Sequence, residues 1–355
     1  MTLNQQWRLA RQPIEGWPTD GDFVLDSAET PAPGANQALT RTLYLSLDPY
    51  QWGRRRSGIE QIGDVCHGRT VSQVLKSRLS GYQEGDIIFN TNGWQEYGLV
   101  GQDISEFGYM HPRVLDTSQA PASSALGVLG MLGLTAYSGL YVQCQPRSGE
   151  TVVVSAASGG VGQNVVQIAK LKGCHVVGIV GTDDKCDFVV DSLGAEACIN
   201  RKSPGFVEQL QRACPDGVDI YFENVGGEVF EAVLPLLNKS SRISLCGLIS
   251  QYGHDDAASN HARWQETGAP FFATQQVQVN GLFVGNFVDD YQRQFLEEMG
   301  DWVRNGRVKY KEDIWRGIEK APEAFDAMLK GENFGKTIVQ VSTDSVDTSY
   351  RNIQF

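Results

Sequence analysis

The sequence lacks a long uninterrupted apolar run and a hydrophobic segment near its start. The longest apolar stretch, residues 125–142, is broken by four glycines and by Thr135. It therefore predicts a pair of buried helices rather than a membrane span. Residues 1–11 alternate polar and apolar side chains, which is not the pattern of a signal peptide. We expect neither a membrane association nor a targeting segment.

Cysteine is sparse, and the seven cysteines are scattered along the chain with no CxxC pair. An odd number without paired spacing argues against a disulfide framework and against a cysteine-rich structural zinc site. We therefore expect a protein of the reducing cytoplasm.

Positive charge is also scarce, because 30 Lys and Arg residues stand against 42 Asp and Glu residues and give a net charge of −12. Nucleic acids are held mainly by clustered Lys and Arg side chains, so no nucleic-acid partner is expected. Binding of an anionic ligand then requires a local group of basic side chains.

The chain has 355 residues, which exceeds the size at which a single core stops growing and predicts two domains. Short β-like runs separated by Gly, Pro and Asp predict a mostly-β domain over residues 1–122. From Gly149 β-like and helical runs alternate, which predicts a doubly wound parallel sheet of the Rossmann type within residues 123–310. Residues 311–355 are too few to fold alone and are expected to complete the first domain.

One loop has the glycine spacing of a dinucleotide site. The predicted strand Thr151–Ser155 leads into Gly159, Gly160, Val161 and Gly162, and a helical stretch follows at once. Glycines here allow the backbone to approach a pyrophosphate and the helix to pack closely on the strand, while the helix N-terminus supplies N–H groups. The alternative is an ordinary glycine-rich turn, but the flanking strand and helix favour a dinucleotide site.

The end of the next predicted strand distinguishes NADPH from NADH. NAD enzymes place a carboxylate there to bind the adenosine ribose, whereas residues 179–182 contain no acid. Lys185 follows shortly, and Arg201 lies just beyond the third strand, so basic side chains are available for a ribose 2′-phosphate. We predict NADPH as the cofactor. The alternative is that these charges are only solvated surface groups.

Several separated motifs resemble those of a known family over almost the whole chain. The family is the zinc-free branch of the medium-chain dehydrogenases/reductases, which includes prostaglandin reductases, plant double-bond reductases and bacterial curcumin reductase. The motifs are Leu45-Ser-Leu-Asp-Pro-Tyr50, Gly130-Met-Leu-Gly-Leu-Thr-Ala-Tyr137, the loop at 156–162, Phe222-Glu-Asn-Val-Gly-Gly227, Cys246-Gly-Leu-Ile-Ser-Gln-Tyr252 and Gly331-Glu-Asn-Phe-Gly-Lys336.

The resemblance implies a GroES-like catalytic domain that contains an inserted Rossmann domain, and it implies a homodimer. It also implies NADPH-dependent reduction of the conjugated C=C bond of an α,β-unsaturated aldehyde or ketone. Hydride then moves to the β-carbon and a proton reaches the α-carbon. In this family the residue matching Lys185 contacts the 2′-phosphate, and the residues matching Asn224 and Asn333 lie near the nicotinamide.

The chain departs from the family pattern at several positions. Arg201 stands where the family usually has Tyr, and Gln51-Trp52 replaces Met-Arg after the Asp-Pro-Tyr motif. Leu132 replaces a usual Pro. The first change puts the geometry of the phosphate site in doubt, and the second puts the substrate preference in doubt.

A zinc alcohol dehydrogenase is the alternative within the same fold, and it needs four Cys, His or carboxylate ligands. Residues 46–48 occupy the position of its early Cys, and Cys66-His67 lacks the Glu that should follow. We therefore predict no metal site. Without zinc to polarise a carbonyl, reduction of a conjugated C=C bond is favoured over simple ketone reduction.

The enolate left by hydride transfer needs a hydrogen-bond donor. Tyr50 and Tyr252 follow turn signals at predicted strand ends, where active-site loops gather, whereas Tyr137 is predicted to pack in the core. We predict that Tyr252 or the cofactor's ribose hydroxyl donates to the enolate oxygen, that Tyr50 positions the substrate, and that water supplies the α-proton. An NADPH quinone oxidoreductase and a non-catalytic dinucleotide-binding protein remain alternatives, and the second has no need of these tyrosines.

Overall fold

The computed structural model describes residues 3–13, 15–104, 109–118, 120–254 and 256–342. Its strands are β1 (Leu3–Leu9), β2 (Phe23–Glu29), β3 (Gln37–Ser46), β4 (Thr70–Ser77), β5 (Ile87–Asn90), β6 (Tyr97–Gly101), β7 (Arg113–Val114), β8 (Thr151–Ser155), β9 (His175–Val180), β10 (Ala197–Asn200), β11 (Val218–Glu223), β12 (Leu237–Leu245), β13 (Gln278–Gly281), β14 (Glu312–Arg316) and β15 (Lys336–Gln340).

The α-helices are α1 (Tyr50–Arg56), α2 (Met131–Ala136), α3 (Gly162–Leu171), α4 (Asp183–Asp187), α5 (Phe206–Ala213), α6 (Gly227–Val233), α7 (Ala257–Gln275), α8 (Val288–Arg304) and α9 (Ala321–Leu329). Short 3₁₀ segments cover Asp20–Asp22, Ala122–Leu126, Leu234–Leu236, Ile249–Gln251, Val284–Phe287 and Ile318–Lys320, and π-helical segments cover Tyr137–Cys144 and Phe188–Ser192. Within the described ranges, no helix has both the length and the apolar character needed to cross a membrane.

The chain divides into two compact units. The β unit consists of Met1–Met131, Asp313–Leu329 and Thr337–Phe355, and the α/β unit consists of Leu132–Glu312 and Lys330–Lys336. The domain limits at 122 and 310 stay a prediction.

The β unit contains antiparallel sheets. Its larger sheet has the strand order β14-β15-β3-β4-β5-β7, with β6 paired to β3, and β1 pairs with β2 in a separate ribbon. Alternate residues of β3, β4 and β5 point to one face, where Ala38, Val74 and Ile88 are buried together with Val100. This period of two is the pattern expected of strands that cover a core on one side.

The α/β unit contains a six-stranded sheet with the order β10-β9-β8-β11-β12-β13. All of its pairings are parallel. If β8 is numbered as the first strand, this is the order 3-2-1-4-5-6 of the dinucleotide-binding fold. After β8 the chain adds strands on one side of it, and from β11 onward it adds them on the other side. The carboxyl ends of β8 and β11 therefore flank the switch point, where such sheets bind ligands. The predicted fold class is confirmed.

Helix α7 is the largest element that the sequence pattern does not predict. It contains Pro270 and Gly268, two residue types that lower helix propensity most strongly. Its start is stabilised by Asp256, whose carboxylate accepts hydrogen bonds from the backbone N–H groups of Ala258 and Ser259, as N-cap residues do. Trp264 lies buried in the main core of the α/β unit, so tertiary packing outweighs local propensity here.

Candidate active site

The loop between β8 and α3 can only be built with glycine at key positions. A Cβ atom on Gly162 would lie 2.2 Å from the carbonyl oxygen of Ala156, and one on Gly160 would lie 2.2 Å from a methyl carbon of Leu132. Both distances are shorter than real contacts of this kind. A side chain at Gly162 would therefore displace the loop backbone, whereas one at Gly160 would force the Leu132 side chain to move. Ala156 itself has a positive φ of 50°, which marks a tight turn between the strand and the helix.

The remaining loop residues complete this turn. The Gly159 N–H donates to the carbonyl oxygen of Ala156 at 2.9 Å, and its own carbonyl oxygen accepts from Gln163. Val161 is the residue that precedes the first turn of α3. The structure thus brings the four predicted loop residues to the N-terminus of a helix, where unpaired N–H groups favour an anion.

Basic side chains lie at the tip of β9, as the choice of NADPH requires. A Cβ atom on Gly181 would lie 4.0 Å from the Nε atom of Arg201 and 3.9 Å from the Cε atom of Lys202. The nearby carboxylate of Asp183 accepts a hydrogen bond of 2.7 Å from the side chain of Asn200. The tip of β9 is therefore flanked by the cations Arg201 and Lys202, and the Asp183 carboxylate is hydrogen-bonded to the Asn200 amide.

Lys185 is placed differently from Arg201. Only 8% of its surface is exposed, and its Nζ atom donates a 2.8 Å hydrogen bond to the carbonyl oxygen of Gly331. The segment that carries Gly331 also carries Asn333, whose Nδ2 atom donates to the carbonyl oxygen of Gly335 at 2.9 Å. Lys185 thus ties α4 to the segment with Asn333, and its contact with a 2′-phosphate stays a prediction.

Asn224 is held at the switch point by both its backbone and its side chain. Its backbone N–H donates to the Ser155 hydroxyl at 2.8 Å, and its Nδ2 atom donates to the Ser155 carbonyl oxygen at 2.7 Å. The fully buried Glu223 accepts from the Ser155 hydroxyl and from the N–H groups of Val225 and Gly226. Burial raises the pKa of Glu223, although these donors oppose the shift. The ends of β8 and β11 are thereby joined into one rigid edge.

Tyr252 follows the 3₁₀ segment Ile249–Gln251 and is partly buried. Its hydroxyl oxygen lies over Gly247, where a Cβ atom would approach it to 2.9 Å. Burial, and then the neighbouring Cys246, raise the pKa of Tyr252 to about 12. The phenol is therefore protonated at neutral pH and can donate a hydrogen bond, which is what the predicted role demands.

Tyr50 is the first residue of α1, directly after β3 and Pro49. Its hydroxyl group is 2.8 Å from the Nε2 atom of His67. The Tyr109 ring meets the Tyr50 ring edge to face, with centroids 5.2 Å apart, and the Arg69 guanidinium lies 5.4 Å from the Tyr50 ring centre. Burial raises the pKa of Tyr50, and the charge of Arg69 opposes this shift.

Two buried ion pairs surround the Tyr50–His67 pair. Arg69 and Asp48 form an ion pair with both side chains 1% exposed, and the Ser46 hydroxyl also donates to Asp48 at 2.6 Å. Arg55 pairs with Glu60 at 3.1 Å. Buried charges are tolerated only when they are paired and hydrogen-bonded, so these pairs fix the backbone around them.

Glu60 also holds His67, because its carboxylate accepts a 3.1 Å hydrogen bond from the backbone N–H of His67. Burial, and then the positive charges of Arg54, Arg69 and Arg55, lower the pKa of His67 to about 3. The imidazole is therefore neutral across the physiological pH range.

From the sequence, His67 was considered only as a potential metal ligand, and Asp48, Arg69 and Tyr109 were not predicted to be neighbours of Tyr50. These residues lie in separate loops, with no periodic spacing that relates them. Only the sheet topology brings them together. The sequence offered one hint of charged surroundings, because Asp48 and Arg54 lie on either side of Tyr50.

The adjacent Cys66 and His67 were the only early candidates for zinc ligands. Burial raises the pKa of Cys66 to about 12. In the part of the chain that the structure describes, no group of three or more His, Cys, Asp or Glu side chains is placed to hold a metal ion.

Comparison with known proteins identifies the family. A family model described as a zinc-binding dehydrogenase matches residues 160–301, and one described as the N-terminal domain of oxidoreductase matches residues 5–106. The NADPH-dependent curcumin reductase of Escherichia coli K12 is 43% identical over 347 residues, which is 96% of this chain and 98% of that protein. Prostaglandin reductase 1 of Mus musculus is 39% identical and covers 96% of this chain and 100% of its own length.

A solved structure agrees with these sequence matches. CurA from Vibrio vulnificus, crystallised in complex with NADPH, superimposes with a TM-score of 0.84 at 40% identity and covers 96% of this chain and 100% of its own. The similarity extends over both units, because it covers 96% of the chain. The chain therefore belongs to the enone reductase family of the medium-chain dehydrogenases/reductases.

Proposed function

We propose that this protein uses NADPH to reduce the conjugated C=C bond of an α,β-unsaturated aldehyde or ketone. The observation that carries the proposal is the full-length similarity to reductases of such compounds. The glycine loop between β8 and α3 agrees with it, because it has the form of a dinucleotide site at a helix N-terminus. NADPH supplies the hydride that is added to the β-carbon of the substrate.

The residues of the α/β unit fit this cofactor. Gly159, Gly160, Val161 and Gly162 present a helix N-terminus without side chains that would block a pyrophosphate. Arg201, with Lys202 beside it, supplies the positive charge at the strand tip for a 2′-phosphate.

The other predicted cofactor contacts depend on the segments that hold them. Lys185 supplies a further positive charge for the 2′-phosphate, and its Nζ atom is held in place by the hydrogen bond to the carbonyl oxygen of Gly331. Asn224 and Asn333 contact the nicotinamide half in this proposal. Their side chains are held by bonds to the carbonyl oxygens of Ser155 and Gly335, which supports a fixed role for both.

Tyr252 donates a hydrogen bond to the enolate oxygen in the transition state. Its phenol is protonated at neutral pH, and a preorganised donor aimed at a developing oxyanion is worth about 3–4 kcal/mol. The ribose hydroxyl of the cofactor is the alternative donor. Tyr50 positions the substrate, because its hydroxyl is fixed by His67 rather than free to rotate, and the α-proton comes from solvent.

The protein works without zinc, as a homodimer, in the cytoplasm. The metal-free reaction is supported by the sequence, in which residues 46–48 occupy the position of the early Cys ligand and no Glu follows Cys66-His67. The dimer is the arrangement that the family resemblance implies, and light scattering in solution measures it. The cytoplasmic location is supported by seven cysteines that are all free.

Initial rates with NADPH test the function directly. The substrate panel contains a 2-alkenal, an acyclic enone, a curcuminoid, a 15-oxo-prostanoid-like enone and a quinone. We expect turnover of the enal and the enones to exceed that of the quinone. Faster reduction of the quinone would replace the proposal with a quinone oxidoreductase, and no NADPH oxidation with any compound would favour a non-catalytic protein.

A further inference from the structure

The pair formed by Tyr50 and His67 has a property that substrate positioning alone does not require. A histidine that bonds to a phenol at 2.8 Å could be protonated and anchor it as a cation. Here the surroundings prevent this, because burial and the cations Arg54, Arg69 and Arg55 lower the pKa of His67 to about 3. The structure thus places a neutral imidazole against a phenol.

A neutral imidazole has one N–H donor and one acceptor nitrogen at opposite sides of its ring. It can therefore give a proton at Nε2 and take one at Nδ1 without ever becoming an imidazolium. That is the chemistry of a proton relay. The reaction needs such a route, because each turnover adds one proton from solvent to the α-carbon.

The charges around the pair favour this arrangement. The groups that face it are the cations Arg54, Arg55 and Arg69, the carboxylates Asp48 and Glu60, and the Tyr109 phenol. The carboxylates are bound in ion pairs with Arg69 and Arg55. A phenolate formed briefly at Tyr50 therefore lies beside Arg69, whose charge lowers the pKa of Tyr50 and opposes the effect of burial.

We propose that Tyr50 and His67 form a proton relay that delivers the α-proton, with His67 acting through Tyr50 as a positioning and proton-supplying residue. This inference rests on the proposed enone reduction and deepens it. The Tyr50 O–H bond breaks as the enolate electron pair forms a C–H bond at the α-carbon. The Nε2–H bond of His67 breaks as the phenol O–H bond forms again, and Nδ1 takes a proton from solvent. Before the next turnover Nδ1 returns its proton to solvent and Nε2 takes one, which restores the starting tautomer. The hydride step has already supplied both electrons, so no further oxidant or reductant is required.

The relay requires a ring with two nitrogens, whereas mere anchoring of the phenol requires only one hydrogen bond. His67→Gln keeps an amide that can bond to Tyr50, and His67→Leu removes the bond altogether. We expect both variants to lower kcat by at least about tenfold, since acid–base catalysis typically contributes 10²- to 10⁴-fold. The KM for NADPH should remain within about twofold of wild type in both.

Three further measurements sharpen this test. The solvent isotope effect on kcat in D₂O should rise in His67→Gln, because protonation by bulk water then limits the rate. The double variant Tyr50→Phe, His67→Gln should be no slower than Tyr50→Phe alone, because the two residues act in one step. His175→Gln is the matched control, since His175 is also partly buried and bonds at Nε2 to the carbonyl oxygen of Ala213, and it should keep wild-type kinetics.

The outcomes separate the relay from the proposed function. If His67→Gln turns over like wild type while His67→Leu is slow, the histidine only anchors the phenol and the relay is wrong. If the two substitutions multiply in the double variant, they act in separate steps and the relay is also wrong. If NADPH oxidation fails with every enone in the wild-type protein, the proposed function itself is wrong. Thermal unfolding of each variant confirms that it is folded before its rates are compared.

Discussion

The carboxyl edge of the parallel sheet and the surroundings of Tyr50 are built by different kinds of interaction. At the sheet edge, short backbone distances and backbone N–H groups determine the shape, and the ring of bonds among Ser155, Glu223 and Asn224 closes it. Around Tyr50, buried charge pairs such as Arg69–Asp48 determine the shape. The glycine loop at the sheet edge depends on neighbours in sequence, whereas the bonds of Ser155 and the surroundings of Tyr50 depend on residues that only the folded chain brings together.

The largest expected effect is on the chemical step at the sheet edge. Tyr252→Phe should lower kcat by about 100-fold and leave NADPH binding unchanged, because the lost donor acts mainly in the transition state. Steady-state rates and a fluorescence titration with NADPH measure the two quantities. Tyr137→Phe is the control, because the Tyr137 hydroxyl bonds to Glu298 on α8 and should have little influence on turnover. A Tyr252→Phe enzyme with normal kcat would leave the ribose hydroxyl as the donor.

The substitution Gly162→Ala tests whether the loop at the carboxyl edge of the parallel sheet requires glycine at this position. A Cβ atom there meets the Ala156 carbonyl oxygen at 2.2 Å, so we expect unfolding to become easier by about 1–3 kcal/mol, as for other overpacked sites, with weaker NADPH binding. Urea unfolding measures the change. Gly300→Ala in α8 is the matched control, because a Cβ atom there has no neighbour within 4 Å, and a helical alanine should be neutral or stabilising.

The sequence predicts the features that depend on local signals, and it does not predict those that depend on contacts between distant residues. The loop Gly159–Gly162 and strands β8, β9, β10 and β11 were predictable, because strand period and glycine spacing are local signals. Helix α7 was not predictable, because Pro270 and Gly268 lower its helix propensity and the packing of Trp264 in the core stabilises it. The contact between Tyr50 and His67 was not predictable either, because a separation of 17 residues between the start of a helix and a loop carries no periodic signal.

The charged surroundings of Tyr50 predict a pH effect on stability. His67 has a pKa of about 3 in the folded protein against an ordinary value of 6.5, so the unfolded chain binds more protons between these values. Stability therefore falls as the pH drops below about 6.5, by up to about 2 kcal/mol between pH 7 and pH 5. Urea unfolding at the two pH values should show this loss in wild type but a smaller one in His67→Gln. Equal losses in both proteins would mean that His67 titrates normally.

The smallest effect concerns the choice of cofactor. Arg201→Ala should raise the KM for NADPH by about tenfold, and Lys185→Ala should raise it too, while the KM for NADH stays nearly constant in both because NADH lacks the 2′-phosphate. Arg212→Ala on the exposed face of α5 is the control. If the unmodified enzyme uses NADH and NADPH equally, the assignment of these cations to a phosphate is wrong.

The position of the transferred hydride tests the central claim most directly. An enone is reduced with NADPH that carries deuterium at both C4 positions of the nicotinamide ring, and the product is examined by NMR. The account predicts a saturated ketone with one deuterium on the β-carbon and an α-hydrogen derived from solvent. Deuterium on the carbonyl carbon, with the C=C bond intact, would contradict it and indicate an alcohol dehydrogenase reaction instead.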